Sequence, residues 1–132
     1  MPPFEVAKID HVSIVITDEE RGRRFYTDVI GLREIPKPKT FDFVVVWFDL
    51  GDQHLHLMLK DQSDTISPRH FALRVSDAVA ARAYFRGLGM EVRETTPIPG
   101  ADRFFILDPD GNRIEIIQWR RPYDIEENRV VG

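Results

Sequence analysis

The stretch "GDQHLHLMLK", residues 51–60, places two histidines one residue apart inside an apolar run. Side chains alternate across a β-strand, so His54 and His56 share one face while Leu55, Leu57 and Leu59 take the other. Such a face is either turned to solvent or lines a cavity where nitrogen lone pairs are wanted. Three further residues stand in the same relation to an aliphatic stripe. They are His11 beside Val12, Ile14 and Ile16, His70 beside Phe71, Leu73 and Val75, and Glu115 between Ile114 and Ile116. Imidazole and carboxylate can ligate a divalent metal or move protons. The chain has no cysteine, which excludes disulfides, a thiolate nucleophile and thiolate ligands, so a metal would have to be held by His, Asp or Glu.

At 132 residues, 42% hydrophobic and 30% charged, the chain is expected to form one globular domain, 1–132. Eighteen basic and twenty-two acidic side chains give a net charge of −4, and basic residues cluster no further than pairs such as Arg23-Arg24 and Arg120-Arg121. This argues against a nucleic-acid partner. The N-terminal "MPPFEVAKID" lacks a signal-like apolar stretch and no run approaches the ~18 apolar residues of a membrane span, so a cytoplasmic protein with no membrane partner is expected.

The elements that must position these residues follow from local patterns. "IDHVSIVI" (9–16) alternates as a strand, and Thr17 with Glu20 predicts a capping box for a helix ending at Gly31. "FDFVVVWFDLG" (41–51) and "QHLHLML" (53–59) predict two strands joined at Gly51-Asp52. "RHFALRVSD" (69–77) predicts another strand, with Ser76 or Asp77 capping a helix toward Gly87-Leu88-Gly89. "GMEVRET" (89–95) is expected to be a strand, and "RFFILDPDGNRIEIIQW" (103–119) two strands around the turn Asp108-Pro109-Asp110-Gly111. The tail 120–132 carries no clear element.

The two halves share this grammar in register. "HVSIVITD" (11–18) aligns with "HFALRVSD" (70–77), and "DLGDQHLHLM" (49–58) with "DPDGNRIEII" (108–117), both at an offset of 59 residues. His11 then falls on His70 and His56 on Glu115. A lone strand histidine is ordinarily a half-exposed sheet residue, but four potential ligands at two pairs of equivalent positions form a pattern that a duplicated site explains.

With "DHVSIVITD" and "RHFALRVSD" opening the halves and "DPDGNRIEI" closing the second, the chain resembles the vicinal oxygen chelate superfamily over about residues 7–119. That family includes glyoxalase I, methylmalonyl-CoA epimerase, fosfomycin resistance enzymes, extradiol dioxygenases and bleomycin-binding proteins. The resemblance implies an α+β fold of tandem βαβββ repeats, about 7–62 and 66–119, forming a cupped mixed sheet with helices outside. It also implies one divalent metal ion per site, ligated by His11, His56, His70 and Glu115. Zn, Ni, Co, Mn or Fe would suit this set equally. Glyoxalase I and epimerase members often carry Glu or Gln where this chain has His56, so their substrates do not transfer.

Strand parity adds Ser13, His54, Arg74, Arg103, Phe105 and Ile117 to the inner wall, of which His54, Arg74, Arg103 and Phe105 are the candidate substrate-binding residues. They suit a small, oxygen-rich or anionic substrate. The resemblance implies a glyoxalase-type lyase or isomerase in which Glu115 is the catalytic carboxylate. Its alternatives are a fosfomycin-resistance-like thiol or water transferase, a non-catalytic bleomycin-type binding protein, and an extradiol dioxygenase. In short family members the cup is often completed by a partner chain, so a homodimer is expected. Trp47 and Trp119 read as packing or interface residues.

Overall fold

The computed structural model describes residues 1–130. In chain order the elements are β1 (His11–Ile16), α1 (Glu19–Arg24) continued by a π-helical turn (Phe25–Val29), β2 (Arg33–Ile35), β3 (Val45–Asp49), β4 (His54–Leu59), β5 (His70–Arg74), α2 (Ala78–Gly87), β6 (Ala101–Leu107) and β7 (Arg113–Trp119). They fall into two compact units, residues 1–67 with 108–112 and residues 68–107 with 113–130. Among the described residues no helix is long and apolar enough to cross a membrane.

The first unit carries a four-stranded sheet in the order β1-β4-β3-β2. β1 runs parallel to β4 with His11 opposite His54, and β3 and β4 form the antiparallel hairpin read at Gly51-Asp52, where Gly51 has φ +83°. Phe48 opposes Leu55 and Val46 opposes Leu57, all fully buried. Each such side chain contributes about 1.5–3 kcal/mol by leaving water. Gly22 of α1 packs so closely that a Cβ there would stand 2.9 Å from Ile16 Cδ1 and 3.4 Å from Leu57 Cδ1.

The turn Asp108–Asn112 belongs to this unit. Asp108, almost fully buried, accepts four hydrogen bonds: from the Asp110 and Asn112 amides at 2.9 and 2.8 Å, Asn112 Nδ2 at 2.8 Å and the Tyr26 hydroxyl at 2.6 Å. Burial pushes its carboxyl up, against the pull of these donors. Asp110 Oδ1 takes the Thr17 amide and hydroxyl at 3.1 and 2.6 Å and the Arg21 guanidinium at 2.8 Å.

The second unit carries a three-stranded sheet, β5-β7-β6, with β5 parallel and β6 antiparallel to β7. Phe104 opposes Ile116 and Ile106 opposes Ile114, again fully buried. Arg82 of α2 bonds Asp102 at 2.8 Å and Glu94 at 2.9 Å and lies over the Phe104 ring, anchoring the helix.

The 59-residue offset is reproduced in structural detail. Asp18 and Asp77, equivalent under it, are the N-caps of α1 and α2, accepting from the amides of Arg21 and Ala80 at 3.0 Å. The parallel registers also correspond, His11 with His54 and His70 with Arg113. Two expectations are corrected. Asp18 caps α1 instead of Thr17, whose hydroxyl is drawn to Asp110. The strand expected at 89–95 reduces to a single bridge between Arg93 and Phe105. A short strand, β2, lies at Arg33–Ile35 and is the further strand that the βαβββ repeat implies, in a segment with no alternating pattern long enough to read. The second hairpin is also one residue longer, so Phe105 opposite Glu115 takes the place held by Trp47 opposite His56.

Candidate metal-binding site

In the first unit His11 and His56 stack with ring centroids 4.3 Å apart, and Trp47 covers the other face of His56 at 3.7 Å and 10°. His56 is therefore the middle ring of three, which fixes its plane. It is buried to 6% exposure, and burial together with the neighbouring His11 and His54 lowers its pKa to about 4. It is a neutral imidazole at physiological pH, with a lone pair to offer. His54 stands beside it, its Nδ1 3.5 Å from His56 Nε2. His11 is half-exposed, and its Nδ1 bonds the Asp10 carboxylate at 2.8 Å.

In the second unit His70 Nε2 and Glu115 Oε1 are 3.0 Å apart. Arg103 Nη1 reaches the same oxygen at 3.4 Å while its Nε and Nη2 donate to the Thr96 carbonyl. Phe105 packs edge-on to His70 at 4.9 Å. His70 Nδ1 lies 2.9 Å from the Pro68 carbonyl, which can only accept, so the Nδ1 proton is donated there.

These contacts test whether the residues suit a metal. His11 and His70, equivalent in the repeats, both have Nδ1 held by an oxygen acceptor, which orients the ring and leaves Nε2 as the coordinating atom. At His70 the consequence is sharper. With Nδ1 committed as donor, Nε2 and the Glu115 carboxylate meet as two acceptors unless a second proton or a cation lies between them. The donor chemistry fits a divalent ion bound by imidazole and carboxylate.

The expected residues are thus gathered as two pairs, His11 with His56 and His70 with Glu115, one in each unit. Among the described residues no group of three or more His, Asp or Glu is close enough to hold a metal ion. Of the expected pocket wall, His54 neighbours His56, Phe105 packs on His70, Arg103 holds Glu115, and Arg74 is exposed at the end of β5. Sequence reasoning missed the Trp47 stack and the oxygen acceptors Asp10 and Pro68. Asp10 adjoins His11 in sequence and was the one signal available.

A family model of the Glyoxalase/Bleomycin resistance protein/Dioxygenase superfamily matches residues 8–116, and the chain belongs to that superfamily. It is 29% identical to a lactoylglutathione lyase of Haemophilus influenzae over 126 residues, 84% of this chain and 92% of that protein. A glyoxalase family protein from Bacillus anthracis superposes with a TM-score of 0.81 at 30% identity, covering 89% of this chain and 99% of that one. The fold is also that of the fosfomycin resistance protein FosX of Listeria monocytogenes, with a TM-score of 0.74 at 15% identity over 95% of this chain and all of the other. The fold class is α+β and glyoxalase-like, as read from the sequence.

Proposed function

We propose that the protein is a divalent-metal-dependent enzyme of the glyoxalase type, a lyase or isomerase acting on a small substrate with two neighbouring oxygens. The observation that carries this reading is the His70–Glu115 contact, an imidazole nitrogen and a carboxylate oxygen 3.0 Å apart that need a proton or a cation between them, with the far nitrogen of the imidazole already committed to Pro68. The stacked His11 and His56 supply the complementary pair. Four donors need one pair of each kind, and since short members of the family often complete the cup with a partner chain, we assign the second pair to a second copy of the chain.

A divalent ion so held supplies Lewis-acid polarisation of substrate oxygens. The remaining work falls to side chains. Glu115, oriented by Arg103 and His70, is the carboxylate placed to take a proton from substrate and return it. Trp47 and Phe105 flank the ligand rings with apolar surface. The resemblance to a lactoylglutathione lyase supports the lyase reading, at the distance that its identity implies.

Mixing two inactive chains tests the arrangement. His11→Ala/His56→Ala and His70→Ala/Glu115→Ala should each bind no metal. If sites are shared, their mixed dimer rebuilds one intact set, giving one ion per two chains by elemental analysis. Binding within a single chain would give none, and metal retained in His70→Ala/Glu115→Ala alone would overturn the ligand assignment.

A further inference from the structure

The second unit contains a cavity of about 120 Å³ lined by Met90, Glu91, Arg93, Phe105, Leu107 and Arg113, with Ile106. Two guanidiniums face one carboxylate, so it is net positive. Glu91 is already spent on Arg93, at 3.0 and 3.4 Å. Arg113 lies half-buried over the Phe105 ring, its guanidinium carbon 3.8 Å from the centroid, and no carboxylate among the described residues pairs with it. A guanidinium held on an aromatic face keeps its in-plane N–H fork free.

The position of this cation connects it to the metal ligands. Arg113 is the cross-strand partner of His70 and lies two residues before Glu115 on the same face of β7. Residues i and i+2 of a strand are about 6.5 Å apart, roughly the length of a four- or five-atom chain. The ring that carries Arg113 also meets His70, so one side chain forms both the floor of the cavity and a wall of the ligand pair. The arginines expected from sequence are placed otherwise. Arg103 is committed to the Thr96 carbonyl and Glu115, and Arg74 does not line the cavity.

We propose that Arg113 is the oxyanion clamp of a substrate subsite, so that the substrate is a small organic acid, a carboxylate or a phosphonate, whose anionic group lies a few bonds from its two chelating oxygens. Phe105, Met90 and Leu107 take the short apolar body between them. This deepens the function proposed above and rests on it for the chelating end, while the anion subsite is a property of the second unit alone.

The subsite is tested in chelator-treated, metal-free protein with phenylphosphonate, benzoate and the neutral benzamide, by calorimetry and by the Arg side-chain Nε–H resonances in NMR. Phenylphosphonate or benzoate should shift the Arg113 resonance and benzamide should not, the two anions reporting which acid is preferred. Arg113→Gln should weaken anion binding ten- to hundredfold, the loss of a charge-assisted bidentate contact. Arg113→Lys should restore part of it, and Arg93→Gln should cost less. Arg120→Gln, which removes an exposed cation outside the cavity, should bind as wild type. Wild-type affinity in Arg113→Gln, or no anion-dependent shift in the wild type, overturns the proposal. Because no metal is present, an anion site without metal binding would defeat only the chelating end, and metal binding without an Arg113 response would defeat only the clamp.

Discussion

Replacing Tyr26 with Phe removes one hydroxyl from a fully buried side chain and leaves its ring contacts with Phe25 and Phe48 unchanged. That hydroxyl donates to Asp108 Oδ2 at 2.6 Å, across 82 residues of sequence. Asp108 has four donors and almost no access to water, so the lost bond is not replaced by solvent. A hydrogen bond to a charged group is worth about 1.5–3 kcal/mol, and burial of the now under-satisfied carboxylate keeps the cost in that range. Part is returned because burial already pushes Asp108 toward its neutral form. We expect a loss of about 2 kcal/mol, or about 5–8 °C in Tm for a chain of this length. Urea unfolding of the metal-free protein, followed by circular dichroism, measures it. Asp108→Asn should cost more, because an amide offers one acceptor oxygen where two are used, and the double variant should lose less than the two single losses combined. A Tyr26→Phe variant within 0.5 kcal/mol of wild type, with additive double-variant behaviour, would refute the reasoning that this bond ties the β6–β7 turn to the first unit.

Three further outcomes bear on the candidate site. His56→Gln should lower metal affinity strongly and leave the fold intact, whereas His54→Gln should chiefly alter substrate affinity, and parallel metal titrations of the two variants separate them; the reverse result would mean that the ligand lies one ladder step away. Asp10→Ala should weaken metal binding about tenfold by releasing His11 Nδ1, as read by competition with a chromogenic chelator. Finally, His56 has a folded-state pKa of about 4 against about 6.5 when unfolded, so the unfolded chain binds the extra proton. Stability from this group is complete above pH 6.5 and is lost as pH falls toward 4, by about 3 kcal/mol in all; thermal melts of metal-free wild type at pH 7 and 4.5 should differ more than those of His56→Gln.

The sequence by itself determined the features that depend on neighbours a few residues apart. Alternation placed β1, β4, β5 and β7, small and turn-forming residues marked both hairpins, and self-similarity at 59 residues paired His11 with His70 and His56 with Glu115. Each is written in a short window, because strand parity and turn chemistry are set by the local backbone. Where two local solutions were equally good, the tertiary structure chose. Thr17 and Asp18 could each cap α1, and Asp110, 93 residues away from Thr17, takes the threonine hydroxyl and leaves the cap to the aspartate. The same holds for residues 89–95, whose strand pattern finds only one bridge, and for Arg103 and Arg113, alike on paper. One is committed to a carbonyl and a carboxylate, and the other lies free over a ring. A charged side chain's role depends on which opposite charge or acceptor comes within about 4 Å of it. That distance is set by chain segments far apart in sequence, so only the folded molecule decides it.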